Sequence, residues 1–373
     1  MKIDWSTFGD ENLRANIERY LSSRDSVHNA KVLNVNRPKT GHSYDTVLCT
    51  VDWRFENHHE TVGLVFRIEI PGYQMFHDAS LEKQYHVLKD IHDYSDLPVP
   101  KIYWHEDDKE YFGAPFLCME LVEGDIPPDY LAHRDKSFVM TLTKDERKRV
   151  YLNSVTTLAD IHRIDVNKKF IYLHNAIDSR KSALENYLQW IDSWYQWVAK
   201  GRDTFALIEK GLKYLHKKLP QEAPVSLVWG DARPGNMIIG QSLLPTAVLD
   251  WEMAALGTPE IDLAWLLMWE TIWYPNLKEL SGEGFPTESE MIEAYEYRLG
   301  RNVKHLKYYK IMAAVRLSIM MVRGIDKRIE LNRLPNKTTL LTDNVATIYL
   351  ARLMGEPEPR LSPDIHIIAN EMQ

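Results

Sequence analysis

Residues 227 to 239 read Leu227-Val228-Trp229-Gly230-Asp231-Ala232-Arg233-Pro234-Gly235-Asn236-Met237-Ile238-Ile239, and after a short loop the chain continues Ala247-Val248-Leu249-Asp250-Trp251-Glu252. This places an Asp, an Asn five residues later and a second Asp at the end of an apolar run. Val225, Leu227 and Val228 predict a short strand leading into the loop. Gly230 allows tight backbone packing before Asp231, and Pro234-Gly235 predicts a turn that swings Asn236 back beside it. Met237 to Ile239 predicts a second strand, and Thr246 to Leu249 its returning partner. Asp250 is thereby delivered to the same end of the hairpin as Asp231 and Asn236. An ordinary hairpin with an Asx turn would explain a lone Gly-Asp. The complete set, followed by Trp251-Glu252-Met253-Ala254 and Pro259-Glu260-Ile261-Asp262-Leu263-Ala264, favours a functional loop.

The residue types suit phosphoryl transfer from a nucleotide. One carboxylate orients an acceptor hydroxyl, while an amide oxygen and a second carboxylate hold metal ions on the phosphates. Arg233, two residues past Asp231, reads either as a cation near the transferring group or as a loop Arg paired with an acidic neighbour.

These residues resemble the aminoglycoside phosphotransferase family, a branch of the protein-kinase-like fold. Its pattern is His-Gly-Asp, four residues, Asn, then Ile-Asp-Trp/Phe and a downstream Asp-Leu-Ala. The likeness extends to Leu81-Glu82, Tyr85, Leu88, Pro98-Val99-Pro100, Gly113-Ala114-Pro115-Phe116, Met119-Glu120, Glu123-Gly124 and Leu158-Ala159-Asp160-Ile161-His162. It looks most like the branch that includes the kinase-like domain attached to some acyl-CoA dehydrogenases. The departure is Trp229, where the family usually has His. That His is mainly a scaffold for the loop, a role an indole can fill by packing.

The resemblance implies an α+β, bilobal kinase-like fold with a small antiparallel-sheet N-lobe and a larger, mostly helical C-lobe. It implies an ATP- and Mg²⁺-dependent transfer of phosphate to a small-molecule hydroxyl, with GTP left open as the donor. Asp231 and Arg233 would serve catalysis, and Asn236 and Asp250 would hold the metal. In the small lobe, Leu64-Val65-Phe66-Arg67 occupies the place of the kinase Val-Ala-Ile-Lys strand. Val65 and Arg67 share a strand face, so Val65 would roof the base while Arg67 reaches the phosphates. The alternative is a surface Arg paired with Glu69. Glu82 is the favoured carboxylate to steady Arg67, with Gln84 standing where other relatives carry Glu. Gly41 and Ser43 fit a loop over the phosphates. Met119, Glu120 and Val122 fit the hinge that reads the base edge through backbone groups. The rival readings are a nucleotide-binding pseudokinase and an antibiotic phosphotransferase. A protein kinase is disfavoured, because the chain lacks a full GxGxxG loop and an Ala-Pro-Glu segment after Asp250.

Composition is ordinary for a soluble globular protein. The 373 residues are 45% hydrophobic and 26% charged, with a net charge of −8, and the acidic pI near 6.0 argues against general nucleic-acid binding. Cys49 and Cys118 have neither CxxC spacing nor a His cluster and read as buried free thiols. No apolar run reaches membrane-spanning length and no signal core opens the chain, so a cytoplasmic enzyme is expected, its oligomeric state open.

Periodicity predicts helices at 10–22, 79–92, 144–163, 180–199, 202–218, 259–274, 287–299, 303–330 and 338–353, and strands at 30–36, 46–52, 61–70, 101–106 and 115–121. Gly124 and Pro127-Pro128 mark a boundary between residues 1–122 and 123–373. His162 reads as a structural helix-end His. Trp190, Trp194 and Trp197 share one helix face, and Trp265, Trp269 and Trp273 repeat the spacing; core packing is the first reading and an aromatic acceptor cleft the second. Arg298, Arg301, Lys304, Lys307, Lys310, Arg316 and Arg323 make the late helices basic. If they border the cleft, they would repel a polycation and suit an anionic acceptor such as a hydroxyacyl-CoA.

Overall fold

The computed structural model describes residues 10–38, 44–70, 72–128, 137–167, 169–174, 178, 180–202, 204–221, 223–272 and 283–371. The chain divides into two compact units, one of residues 1–74 and 78–123, the other of residues 75–77 and 124–373.

The first unit is a five-stranded antiparallel sheet with two helices. Strands β1 (Val27–Asn36), β2 (Tyr44–Phe55), β3 (His58–Glu69), β4 (Ile102–Glu106) and β5 (Phe116–Glu120) lie in the order β1-β2-β3-β5-β4. Period-two burial builds one core: Val47, Cys49, Val51 and Trp53 of β2 and Leu64, Phe66 and Ile68 of β3 are buried on one face. Helix α1 (Asp10–Ser22) covers that face with Leu13, Ile17, Tyr20 and Leu21. Tyr20 sets its ring edge-on to Phe116 at 4.7 Å. Helix α2 (Leu81–Tyr94) is capped by Ser80 and buries Leu81, Gln84, Val87, Leu88 and Ile91. Both cysteines are buried free thiols. Burial pushes the Cys49 thiol up to about 12.

The second unit is mostly helical, with two short sheets inserted. Its longer helices, among the described residues, are α3 (Lys144–Ile161), α4 (Ala183–Ala199), α5 (Ala206–Lys217), α6 (Pro259–Ile272), α7 (Glu288–Leu299), α8 (Leu306–Glu330), α9 (Val345–Met354) and α10 (Ile365–Glu371). Thr143 with Glu146, Ser182 with Glu185 and Thr287 with Glu290 form capping boxes that fix where α3, α4 and α7 begin. The box at Ser182 starts α4 later than periodicity alone predicts. The helix expected over 338–353 is a short 3-10 turn at Thr339–Leu341 and then α9. Asn344 breaks it, because its buried side chain accepts from the Ala346 and Thr347 amides as an N-cap. Strand β6 (Ser226–Val228) pairs with β9 (Ala255–Gly257), and β7 (Met237–Ile239) pairs with β8 (Pro245–Val248). Strand β9, three residues long, is too short to leave a periodic signal. Among the described residues, no helix is long and apolar enough to cross a membrane.

Candidate active site

The loop between β6 and β7 is held by backbone geometry first. Gly230 sits at φ 97°, and a Cβ there would lie 2.3 Å from the Met253 Cβ and 2.6 Å from its carbonyl oxygen. Only glycine fits. Pro234–Asn236 then forms a 3-10 turn, which returns Asn236 to Asp231. The Asn236 Nδ2 donates to the Asp231 carbonyl at 3.0 Å and to its Oδ2 at 2.7 Å. Across the hairpin, the Leu249 amide donates to the Asn236 carbonyl at 2.9 Å. Asp250 therefore follows directly beside Asn236, in a left-handed conformation at φ 59°. Asp tolerates that region better than most residues but at some cost.

The Asp231 carboxylate accepts three hydrogen bonds among the described residues. Oδ2 accepts from Arg233 Nε at 2.9 Å as well as from Asn236, and Oδ1 accepts from the Trp265 indole at 2.8 Å. Burial by itself would raise its pKa. The charge of Arg233 and the hydrogen bonds from Arg233, Trp265 and Asn236 outweigh burial and hold it below its ordinary value. Arg233 also lies over the Trp269 ring, 5.4 Å from its centre. Of the two readings of Arg233, the structure shows pairing with an acid, and that acid is Asp231.

Under the loop lies a buried polar chain. Asp262, in the first turn of α6, accepts from the Trp229 amide at 2.6 Å and the Gly230 amide at 2.9 Å. His162 stands 3.1 Å from Asp262 through Nε2 and 2.6 Å from the Tyr295 hydroxyl through Nδ1. His162 is thus the structural residue expected, though its task is to brace the loop and not only to end α3. The Trp229 indole, fully buried, donates to the Leu249 carbonyl at 2.8 Å. It ties the Asp231 loop to the segment carrying Asp250 by a hydrogen bond, where packing alone was expected.

In the first unit, Val65 packs with Tyr44, Leu81, Leu117 and Met119, and the Arg67 guanidinium lies 4.7 Å from the centre of the Tyr44 ring. The two side chains share the strand face that alternation predicts. Glu69 is half-buried and has Lys109, Asp107 and His105 as its charged neighbours; burial raises its pKa. The expectation for Glu82 needs correction. Its side chain is 70% exposed beside His86. The inward residue of α2 is Gln84, fully buried and donating to the Tyr44 hydroxyl at 2.8 Å. Helical spacing explains this, since Gln84 shares the face of Leu81 and Leu88. Gly41 and Ser43 lie outside the described residues. In the hinge segment, the Glu120 amide is committed to the Lys101 carbonyl and the Leu121 amide to the Gly63 carbonyl. Those two donors are used by the sheet. Met119 is a core residue, and Val122 lies beyond the last strand.

The acceptor-side expectations change more. Trp194 is fully buried against Phe76 and donates to the Met75 carbonyl at 3.1 Å, with Trp190 packed beside it. That face is core. Trp265 is buried and serves Asp231, and Trp273 lies outside the described residues. The basic stretch is not an open cationic wall. Arg298 pairs with Asp160 and Arg301 with buried Glu260, both bidentate, and Lys310 pairs with Glu288. Arg316 is fully buried. Reading charge along the sequence counted cations whose carboxylates come from distant helices.

Two residues, Asp262 and Trp265, carry the loop by hydrogen bonds that the sequence reading did not anticipate. The signal was present as their spacing: three residues apart in a helix, they share one face.

This arrangement and the sheet-plus-helical architecture define a kinase-like phosphotransferase. The sequence profile of the phosphotransferase enzyme family, APH, matches residues 54–291, and the chain belongs to that family. The chain is 24% identical over 322 residues to acyl-CoA dehydrogenase family member 10 of Mus musculus, covering 84% of this chain and 28% of that protein. It is 23% identical over 349 residues to acyl-CoA dehydrogenase family member 11 of Rattus norvegicus, covering 90% of this chain and 42% of that protein. The chain therefore spans less than half of either relative. Among solved structures, a Ralstonia eutropha protein assigned to the aminoglycoside phosphotransferases has a TM-score of 0.64 at 20% identity, covering 93% of this chain and 99% of that one. A Plasmodium vivax ethanolamine kinase has a TM-score of 0.55 at 12% identity, covering 90% and 84%. Both likenesses concern the fold.

Proposed function

We propose that the chain transfers the γ-phosphoryl group of ATP, with Mg²⁺, to the hydroxyl of a small molecule that carries an acyl portion, a hydroxyacyl thioester being the leading case. The observation that carries the transfer reaction is the junction of Asp231, Asn236 and Asp250: a 2.7 Å bond from Asn236 to Asp231, with Asp250 fixed alongside by the Leu249–Asn236 bond. Asn236 uses its Nδ2 on Asp231, which leaves its Oδ1 as an oxygen ligand. With the Asp250 carboxylate this is the kind of sparse oxygen set that Mg²⁺ takes when phosphates complete its shell. The ion, when bound, neutralises charge developing on the phosphates.

Asp231 orients the acceptor hydroxyl. As the acceptor oxygen bonds to phosphorus and the bond to the ADP oxygen breaks, the hydroxyl proton passes to the Asp231 carboxylate. Arg233 and Trp265 keep that carboxylate ionised and aimed until then. Arg67 is the cation for the nucleotide phosphates, and the backbone beyond β5, at Val122, is the segment that reads the base.

Support for an acyl-bearing acceptor comes from the relatives named as acyl-CoA dehydrogenases. A phosphotransferase segment within such a protein is expected to share its acyl carrier. The basic late helices give little support, because Arg298, Arg301 and Lys310 are paired internally and Arg316 is buried. The test is transfer of label from γ-labelled ATP to 3- and 4-hydroxyacyl-CoA, ethanolamine and kanamycin, with Asp231→Asn as control. Labelled hydroxyacyl thioester is the expected product. Phosphorylated kanamycin with no thioester product would overturn the acceptor class.

A further inference from the structure

Arg316 is the least explained charge in the molecule. It lies in the middle of α8, fully buried. Its Nη2 donates to the Gly230 carbonyl at 2.7 Å and approaches the Met253 sulfur at 3.8 Å. Its Nε and Nη1 are buried with no hydrogen-bond partner among the described residues. The guanidinium lies 4.3 Å from the centre of the Trp265 ring and 5.5 Å from that of Tyr187. Its charge is met by π faces and one carbonyl, where a buried cation is ordinarily met by a carboxylate. A methionine of similar volume would fill the space without desolvating a charge. Packing therefore does not account for an arginine here, and buried unsatisfied donors in a fold ask for a reason.

Two of the groups that Arg316 touches lead to Asp231. The Gly230 carbonyl belongs to the peptide that joins Gly230 to Asp231, and the amides of Trp229 and Gly230 are gripped by Asp262. The loop is thus clamped through its N–H groups by one helix and through its C=O by another. The Trp265 indole donates to Asp231 Oδ1 at 2.8 Å. A cation against the indole face draws density from the ring and strengthens its N–H as a donor.

We propose that Arg316 is a positioning residue for the catalytic loop, acting from behind through the Gly230–Asp231 peptide and the Trp265 indole to present the Asp231 carboxylate in one orientation. It does not touch the reacting atoms. Its kinetic consequence rests on the phosphotransferase reading above, whereas its structural consequence does not.

The experiment uses the full chain with ¹⁵N-labelled tryptophan, the Trp265 indole N–H resonance being assigned with Trp265→Phe. In Arg316→Met that resonance is expected to move upfield as its hydrogen bond weakens. In Arg316→Lys, which keeps a cation against the ring, it is expected to stay in place. In transfer assays Arg316→Met is expected to lose about tenfold or more in kcat at unchanged nucleotide KM, since small misplacements of a reacting group are costly. Arg316→Lys should recover most of that loss. Arg316→Met combined with Trp265→Phe should lose clearly less than the product of the two single losses, because the Trp265 route is common to both. A folded Arg316→Met with an unmoved resonance and full kcat overturns the proposal, as does full additivity in the double variant. Should Arg316→Met fail to fold, a displaced resonance in Arg316→Lys or full kcat in Trp265→Phe overturns it instead. The resonance is read without an acceptor. Absence of any transfer by the wild-type chain would therefore remove the proposed reaction and leave this assignment standing.

Discussion

At the scale of single residues, the site assigns its two aspartates to different partners. Asp231 is bound only by donors that aim it, and Asp250 sits in a strained conformation beside Asn236. Asp231→Asn is expected to keep nucleotide affinity by calorimetry and to lose ~10²–10⁴-fold in transfer rate, the usual range for loss of a general base. Near-wild-type turnover would remove Asp231 from that role. Asp250→Ala is expected to weaken nucleotide binding far more in the presence of magnesium than in its absence, because its contribution runs through the cation. Equal losses in both titrations would contradict the assignment. The spacing of Asp231, Asn236 and Asp250 was legible in the sequence, since a Gly, a Pro-Gly turn and a tight hairpin determine it locally. Glu82 was misread because two acidic or amide positions in one helical turn differ in facing, and facing depends on which side of α2 meets the sheet.

At the scale of elements, the catalytic loop is short and carries little stability of its own. Helices α3, α6 and α7 hold it through the Asp262–His162–Tyr295 chain. Asp262→Ala would leave the amides of Trp229 and Gly230 buried without an acceptor. Unfolding free energy is expected to fall by about 3–5 kcal/mol, the range for removing one member of a buried charged network. A denaturant titration measures it, and a loss under 1 kcal/mol, roughly that of an ordinary surface change, would show that the loop does not depend on this brace. Capping residues set the element ends: Ser182 and Asn344 move or split helices that periodicity alone runs together.

At the scale of the whole molecule, charge is distributed differently from its order in the sequence. Lys310 faces Glu288 across from another helix, with its side chain only 16% exposed. Lys310→Glu is therefore expected to leave acceptor KM unchanged, and a several-fold rise measured at constant ionic strength would return the late helices to acceptor binding. The sequence by itself determined the alternating strands of the first unit, the helical character of the second and the Asp231–Asn236–Asp250 hairpin. Each is encoded within a few residues, by side-chain periodicity or by turn chemistry. The tertiary structure decided what surrounds them: the bonds from Trp265 and Asp262 to the loop, the exposure of Glu82, the burial of Arg316 and the pairing of Arg298 and Arg301. The bonds to the loop and the ion pairs join segments separated by 32 to 138 positions in the chain. At such distances a residue's type does not reveal its partner, and only packing determines which charges meet.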